Sequence, residues 1–329
     1  MQPLKCGVAL ITYNGLKYLP EQLARILAQT RPVSHIVISD DGSTDGTLAF
    51  LETWARNSPV PAMLLRNRKP LGVIRNFEQA IRAVDADIIF SSDQDDVWLP
   101  NKVEVMAAVF EQRPEVDLVH SDAILVDAQG RDMGKTLLGE LGLSAKERDT
   151  IRDGHAFRVF CRRSLVTGAT SAFRKRLLAV ACPLPSSMYH DAWLAFMAAA
   201  TGKVHLLDIP TVHYRQHGAN VVGVRKKGRM TKLRQLWWDI SGPRSLSTDM
   251  QPVVTFRADV HARLAAQPGV PQPYLALASE ALDFAMRRGS LPRNPIRRTS
   301  TVLQNASAGR YGRFSEAPWS DALRDLLNK

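Results

Sequence analysis

Phe90-Ser91-Ser92-Asp93-Gln94-Asp95-Asp96-Val97-Trp98 joins an apolar run to a helix-opening signal. The run leading into it, Ala86-Asp87-Ile88-Ile89-Phe90, has the composition of a buried strand. Leu99-Pro100 follows, and Pro100 suits the first turn of a helix. Three carboxylates therefore fall on the turn at the carboxyl end of an expected parallel strand, where open α/β sheets bind their ligands. Acids this close repel one another, and each raises its neighbours' pKa unless a cation joins them. A solvated turn also favours Asp. Here, however, the acids follow a buried apolar strand, which points to a hard divalent cation held through oxygen. Mg²⁺ or Mn²⁺ fits, arriving with a phosphate. At 4 Å a carboxylate and a phosphate charge repel by about 4 kcal/mol at an effective dielectric near 20, so a diphosphate at this loop needs the metal.

Upstream, strand and helix patterns alternate. Cys6 to Thr12 reads as a buried strand ending in the turn Tyr13-Asn14-Gly15, with a helix from about Leu19 to Gln29. His35 to Ser39 is a second strand, ending in Asp40-Asp41-Gly42-Ser43-Thr44-Asp45-Gly46, and a helix follows to about Arg56. Ala62 to Leu65 is a third, followed by a helix over Gly72 to Val84 with Ile74, Phe77, Ile81 and Val84 on one face. The strand entering the acidic loop is the fourth. This alternation predicts an α/β fold, a parallel sheet with helices on both faces. Asp41, Ser43, Asp45, Gly46 and Glu52 match the spacing of an EF-hand loop. The residues before them form a β-branched strand where an EF-hand needs a helix, so a strand-to-helix turn holding a nucleobase or ribose is the better reading, with Ser43 or Thr44 capping the helix.

Downstream, Asn101 to Gln112 is helical and Val116 to Val126 a strand closed by the turn Asp127 to Gly130. Met133 to Asp153 reads as a polar, irregular loop over the site. Ser171-Ala172-Phe173 is a further strand, Tyr189-His190-Asp191-Ala192-Trp193 opens an apolar helix ending near Ala200, and Val204 to Ile209 is strand-like, with Val212 to Gly218 beyond it.

A chain of 329 residues, 45% hydrophobic, can bury a full core and suggests two domains or one with an extension. No apolar stretch approaches the roughly 18 residues of a membrane span. Met1 to Lys5 leads straight into a strand pattern and does not read as a signal peptide. Cys6, Cys161 and Cys182 are odd in number and far apart, which argues for a reducing, cytoplasmic compartment without disulfides or a zinc site. The net charge of +11 is uneven: residues 1–223 carry 25 Lys and Arg against 24 Asp and Glu, and residues 224–329 carry 18 against 8, giving +1 and +10. An electrostatic partner would meet the last third.

Six elements in this order resemble one family. They are Ile11-Thr12-Tyr13-Asn14; Ser39-Asp40-Asp41-Gly42-Ser43-Thr44-Asp45; Gly72-Val73-Ile74-Arg75-Asn76-Phe77; Asp93-Gln94-Asp95-Asp96 with Trp98; His190-Asp191-Ala192-Trp193; and Tyr214-Arg215-Gln216-His217-Gly218-Ala219-Asn220. From about Lys5 to Gly223 the chain resembles the family 2 glycosyltransferases of GT-A fold. Within the family it is similar to bacterial polysaccharide and O-antigen enzymes, many of them rhamnosyltransferases. The resemblance implies a Rossmann-like, mixed, mostly parallel sheet over residues 1–223, and the residue pattern of 224–329 reads as a helical C-terminal region. It also implies transfer with inversion from a pyrimidine-diphosphate sugar, dTDP-rhamnose or a UDP-sugar, to a lipid-linked surface glycan.

The same resemblance implies roles. Thr12, Tyr13, Asn14 and Gln94 would line the nucleotide-sugar site, Tyr13 and Asp41 holding the base, the carboxylate accepting from its ring N–H. Arg75 would reach the diphosphate, Asp93 the ribose or sugar, and Asp95 with His217 the Mn²⁺ or Mg²⁺. Inversion needs one carboxylate to deprotonate the acceptor hydroxyl, and Asp191 is the candidate, with capping of its helix the plainer role. Many family members carry Glu-Asp where this chain has His190-Asp191, which leaves His190 to orient Asp191 or touch the acceptor. Trp98 and Trp193 are expected in the core or on the rim, an aromatic wall for a sugar being the alternative, and Gly168 permits a close backbone approach.

In the basic last third, Met230, Leu233, Trp237 and Ile240 recur at helical spacing with Lys232 and Arg234 between them. Such a helix suits an anionic membrane surface, or else packs on the catalytic domain or a second copy of the chain as a homodimer. Further helices are expected over Met250 to Ala266, Pro273 to Arg288 and Pro318 to Leu327, with Ser290 to Arg298 a linker. Two other functions compete. A nucleic-acid-binding protein would explain a pI near 9.8, but no recognition module is present and no nucleic-acid partner is expected. A metal-dependent nucleotidyltransferase would also use Asp93 and Asp95, yet the chain has no GxxxxGK loop.

Overall fold

The computed structural model describes residues 3–217 and 246–327. Buried, β-branched runs make the strands. β1 (Cys6–Thr12) is buried along its whole length and lies parallel to β2 (His35–Asp40) and β4 (Ile88–Ser92), while β3 (Ala62–Arg66) extends the sheet beyond β2. The register sets Val8 against both Ile36 and Phe90, so consecutive apolar rows stack across the sheet. The connecting helices are α1 (Leu19–Leu27), α2 (Thr47–Asn57) and α3 (Val73–Ala83). Phe77 and Ile81 turn the buried face of α3 inward. All four strands run the same way, so their carboxyl ends (Thr12, Asp40, Arg66 and Ser92) form one edge.

Beyond β4 the sheet changes sense. β8 (Ser171–Arg174) runs antiparallel to β4 and to β6 (Val116–Val126), and β6 lies parallel to the long β9 (Lys203–Arg215). The described residues place nine strands in this one mixed sheet, in the order β3-β2-β1-β4-β8-β6-β9-β5, with β7 (Asp132–Thr136) on the side of β6. The expected break after Ile209 is absent: β9 continues through Pro210, which opposes Asp122 at a shift in register, the kind of irregularity where a sheet tolerates proline. A two-residue strand, β5 (Val97–Trp98), intervenes between the acidic loop and α4 (Lys102–Gln112), and pairs antiparallel with Val212 and His213 of β9.

The stretch from Met133 to Asp153 is ordered structure rather than an irregular loop. It holds β7, α5 (Leu137–Glu140) and α6 (Ala145–Arg152). Ser144 and Glu147 form a reciprocal capping box at the start of α6, and Leu137, Leu138 and Ile151 are buried. The Ser-x-x-Glu spacing was a legible start signal, outweighed by a polar composition in which the few apolar residues carry the packing. The cap of α2 also differs from expectation. Asp45, rather than Ser43 or Thr44, accepts from the Thr47 N–H and hydroxyl at 3.0 and 2.6 Å. The helix over His190 forms as expected, as α9 (His190–Thr201), with α8 (Leu178–Ala181) before it.

The described chain divides into two compact units, residues 3–154 with 165–217 and residues 155–164 with 246–327. The second is helical: α7 (Ala156–Phe160), α10 (Leu246–Ala265), α11 (Gln272–Gly289), α12 (Pro295–Ser307), α13 (Arg310–Phe314) and α14 (Pro318–Leu327). Inside it, buried Arg288 reaches both oxygens of Asp325 at 2.7 and 2.9 Å, and the Tyr311 hydroxyl donates to the same carboxylate at 2.6 Å. Burial without such partners would cost several kcal/mol per charge. The expected linker from Ser290 to Arg298 already contains the first turn of α12, where Pro295 takes the first helical position and Asn294 accepts from the N–H of Ile296 and Arg297. The expected helix over Met230 to Ile240 lies outside the described residues. Among those described, no helix is long and apolar enough to cross a membrane.

His120 sits on β6 with no exposed surface, and neither ring nitrogen has a partner among the described residues. Burial, with a smaller push from His205, lowers its pKa from 6.5 to about 3. The unfolded chain therefore binds a proton that the folded chain refuses between those values, and stability is lost as pH falls below 6.5. The slope expected from this one group is about 1.4 kcal/mol per pH unit. Urea midpoints of wild type and His120→Phe, measured from pH 7 to pH 4.5, should diverge in the variant's favour on the acid side. Parallel curves would show that His120 takes no part.

Candidate functional site

The strand ends of the first unit are laced together by short polar contacts. Gln94 folds back over the end of β1: its Oε1 accepts from the Thr12 hydroxyl at 2.7 Å and the Tyr13 N–H at 2.8 Å, and its Nε2 donates to the Tyr13 carbonyl at 3.1 Å. Asn14, at φ 50°, accepts from the Thr44 N–H at 2.8 Å, and its own N–H donates to the Ser43 hydroxyl at 2.9 Å. The left-handed conformation suits Asn better than most residues. Thr12, Tyr13, Asn14 and Gln94 thus come together at the edge where the loops after β1, β2 and β4 meet, with the Tyr13 side chain exposed. Asp41 lies deeper. Its carboxylate accepts from Asn67 Nδ2 at 3.0 Å and from the N–H groups of Leu71 and Gly72 at 2.7 and 2.9 Å, fixing the turn into α3. Arg75, on α3, donates to Glu78 at 2.6 Å and to the Leu184 carbonyl at 2.9 Å.

The acidic loop is clasped by the end of β9. Pairing of β5 with β9 carries residues 215–217 across it. The Arg215 N–H donates to Asp96 Oδ1 at 3.1 Å, Arg215 Nε donates to the Asp95 carbonyl at 2.9 Å, and His217 Nε2 lies 2.8 Å from Asp95 Oδ2. Arg215 is nearly fully buried and also pairs with Glu21 at 2.9 Å. Tyr18 supports both: its ring stacks on His217 with centroids 5.1 Å apart, and the Arg215 guanidinium stands 4.9 Å from its centre.

Asp191 opens α9. Its Oδ2 accepts from the Gly168 N–H at 3.1 Å and its Oδ1 from the Ala192 N–H at 2.7 Å, while the first helical turn has no side-chain cap from Tyr189. His190 is buried and stacked on Phe77, centroids 3.7 Å apart, and burial lowers its pKa, so it is a neutral imidazole behind Asp191. Trp98 and Trp193 are both core residues, the latter donating its indole N–H to the Ala181 carbonyl at 2.8 Å. Neither presents a wall to a sugar.

The electrostatics join these pieces. Asp93 is pushed up to about 7, first by burial and then by the charges of Asp95 and Asp191, with Lys102 opposing. Asp96 too is held well above the ordinary carboxylate range by burial and by the charges of Asp95 and Asp93, and its Oδ2 is buried without a partner among the described residues. Asp191 therefore shares one field with the acidic loop although nearly a hundred residues separate them. This cluster is short of positive charge. Asp95 and His217 are a carboxylate and an imidazole facing one another, a donor pair that fits Mn²⁺ or Mg²⁺. The described residues contain no closed cage of three or more His, Cys, Asp or Glu side chains.

This mixed sheet, with its loops gathered at one carboxyl edge, has the GT-A fold, and a solved structure agrees with it. Staphylococcus aureus TarS (residues 1–349, in complex with UDP-GlcNAc) superposes with a TM-score of 0.57 at 16% identity, covering 98% of this chain and 89% of that one. The model of glycosyl transferase family 2 matches residues 8–178. The chain belongs to that family, and is a glycosyltransferase of GT-A fold. A dTDP-rhamnosyl transferase of Shigella flexneri, RfbG, is 28% identical over 242 residues, 69% of this chain and 80% of the relative. An uncharacterized glycosyltransferase of a Nostoc strain is 26% identical over 223 residues, and the match spans 66% of each protein.

Three residues here escaped the sequence reading. Tyr18 gave no signal, since its partners are nearly two hundred residues away. Arg215 stood inside a quoted motif without a role. Lys102 is fully buried, and its signal was present: it shares a helical stripe with Met106 and Phe110 at four-residue spacing, where an apolar residue belongs.

Gly168 offers a direct test of the site's tightness. A Cβ there would stand 2.9 Å from His190 Nε2 and 3.9 Å from the Asp191 Cβ. Gly168→Ala is expected to lose about 1–3 kcal/mol of stability from overpacking, and to lower turnover by moving the Asp191 carboxylate. Equal urea midpoints and equal kcat in the two proteins would refute the close approach.

Proposed function

We propose that this chain is an inverting, metal-dependent glycosyltransferase that moves a sugar from a pyrimidine-diphosphate sugar to a hydroxyl of a bacterial surface glycan carried on a lipid. The observation that carries the reading is the shared field of Asp93, Asp95 and Asp191 at the carboxyl edge of the sheet, with Asp191 arriving from a separate helix. Asp191 takes the proton of the acceptor hydroxyl as its oxygen forms the new bond to the sugar's anomeric carbon. The bond from that carbon to the diphosphate breaks, and its electron pair leaves with the nucleoside diphosphate. Only one catalytic carboxylate is needed, because the anomeric carbon is attacked once from the face opposite the leaving group. A divalent ion held by Asp95 and His217 would supply charge to offset that growing on the leaving diphosphate. Thr12, Tyr13, Asn14 and Gln94 line the donor, Tyr13 and Asp41 hold the base with the carboxylate accepting from its ring N–H, Asp93 meets the ribose or sugar, and Arg75 reaches the diphosphate on leaving Glu78. Similarity to a dTDP-rhamnosyl transferase supports dTDP-rhamnose as donor. The match to glycosyl transferase family 2 favours this over a nucleotidyltransferase.

Asp191→Asn keeps the shape of the side chain and removes its basicity. Turnover is expected to fall by at least about a thousandfold with donor affinity within a few-fold of wild type. Turnover close to normal would remove Asp191 from the chemistry. A thermal-shift panel of dTDP- and UDP-sugars with Mn²⁺ identifies the donor, since a ligand at a hundred times its Kd stabilises by about 2.7 kcal/mol. EDTA should abolish the shift, and a shift indifferent to EDTA would exclude the ion.

A cytoplasmic enzyme acting on a lipid-linked acceptor works beside a membrane. The +10 charge of residues 224–329 supports attraction to an anionic surface, and Trp319 of α14 is 90% exposed. Vesicles containing phosphatidylglycerol should float the full chain at low salt, and Trp319→Ser should weaken this severalfold. Equal flotation with purely zwitterionic vesicles would count against it.

A further inference from the structure

Gln22 shares the buried stripe of α1 with Leu19, Leu23 and Ile26, and none of its surface is exposed. An apolar residue belongs at such a position, because burying an amide costs free energy unless its hydrogen bonds are made. Here both ends of the carboxamide are used. Oε1 accepts from the Trp98 N–H at 3.3 Å, and Nε2 donates to the Ser92 hydroxyl at 2.8 Å. The Ser92 hydroxyl donates in turn to the Asp93 carbonyl at 3.3 Å. The Leu99 N–H goes to the Thr211 carbonyl of β9 at 2.9 Å, so the N–H before it, that of Trp98, points the other way and meets α1. Ser92 ends β4 and Trp98 ends β5. One side chain therefore joins the residue that enters the acidic loop to the strand that leaves it.

We propose that Gln22 is a positioning residue: its carboxamide closes the neck of the acidic loop, fixing the span from Ser92 to Trp98 and with it the place where Asp95 meets His217. The pairing of β5 with β9 grips the far end of the loop, and Gln22 ties that end to the near one. Fully buried, Gln22 meets neither donor nor acceptor and acts through the loop. The proposal rests on the reading of Asp95 as a metal ligand. It predicts that loss of the carboxamide loosens residues 93–98 while the sheet stays folded. Turnover then falls, because displacing a reacting group by about an ångström costs on the order of a hundredfold.

The test uses the full chain as wild type, Gln22→Met, Ser92→Ala, the double variant Gln22→Met/Ser92→Ala, and Ile26→Ala, which opens a cavity on the same stripe of α1. Amide hydrogen exchange, read by mass spectrometry on peptides covering residues 93–98 without donor or metal, reports on the neck directly. In Gln22→Met and in Ser92→Ala these amides should exchange at least about tenfold faster, with those of β1 and β2 unchanged. Ile26→Ala lowers the urea midpoint but should leave exchange over 93–98 within about twofold of wild type. With saturating donor and Mn²⁺, kcat should fall by about tenfold or more in Gln22→Met and stay near wild type in Ile26→Ala. The double variant should lose no more than the larger of the two single losses, since both substitutions break one chain of hydrogen bonds. Unchanged exchange over 93–98 in either single variant overturns the proposal, as does equal acceleration in Ile26→Ala. An unaltered kcat in Gln22→Met, or a double loss equal to the product of the single ones, overturns it too. If Gln22→Met fails to fold, Ser92→Ala set against Ile26→Ala decides by the same exchange readout. Wild-type activity indifferent to EDTA would overturn the metal reading alone, leaving Gln22 to be decided by exchange.

Discussion

The grip of β9 on the acidic loop is the constraint from which the rest of the site follows. A loop of three aspartates after a buried strand would spread apart under its own repulsion. Two backbone pairings at Val97 and Trp98 prevent this by fixing where the loop ends. Beyond those pairings the chain delivers Arg215 and His217 to opposite sides of the loop, one to its backbone and to Asp96, the other to the Asp95 side chain. Neither contact is available to the sequence neighbours of the loop. It takes a parallel β6–β9 pair, running over the full length of β6, to carry residue 217 back to residue 95.

The unequal treatment of the acids follows from that grip. Asp95 is matched with an imidazole, Asp96 is held by a backbone N–H on one oxygen with no partner for the other among the described residues, and Asp93 feels the charges of Asp95 and Asp191. Burial raises Asp93 and Asp96, and only Lys102 and the Arg215 N–H work against the rise. Such an arrangement gains more from an incoming cation than a solvated turn could, because the same low dielectric that strains the acids strengthens their attraction to it. Asp191 is drawn into the balance from the far side, held by Gly168 and backed by a histidine that burial keeps neutral.

Much of this was visible in the residue order. The four strand–helix alternations, the position of the acidic loop and the start of α9 at His190 all follow from local periodicity and turn chemistry, which act over a few residues. Misreadings gather where local composition and tertiary packing disagree. Met133 to Asp153 looks polar because only a few of its residues, among them Leu137, Leu138 and Ile151, do the packing. Pro210 looks like a terminator because nothing local announces that its neighbour across the sheet shifts register to accommodate it. Asp41 read as a ligand for a base, and no local pattern announces the further contacts of its carboxylate with the backbone of Leu71 and Gly72, a role set by a loop thirty residues on. Tyr18 and Arg215 belong to the same group, since each acquires its role only by contact with the other and with His217.

Lys102 shows what a sequence pattern can still yield when it is broken. A charged residue on the same stripe as Met106 and Phe110 violates the expected burial, and violations of local rules tend to mark sites where stability is spent on function. The energetic sense of the violation appears only with the fold in hand. α4 opens a few residues after the loop's last acid, and the Nζ of its first residue meets the Trp98 ring and the Ala169 carbonyl. A helix entering at this point brings that amine to the Ala169 carbonyl with no loop to order and little entropy to lose. The acidic loop and the lysine that follows it are thus one local unit of sequence, and the fold brings His217 and Asp191 to that unit from far along the chain.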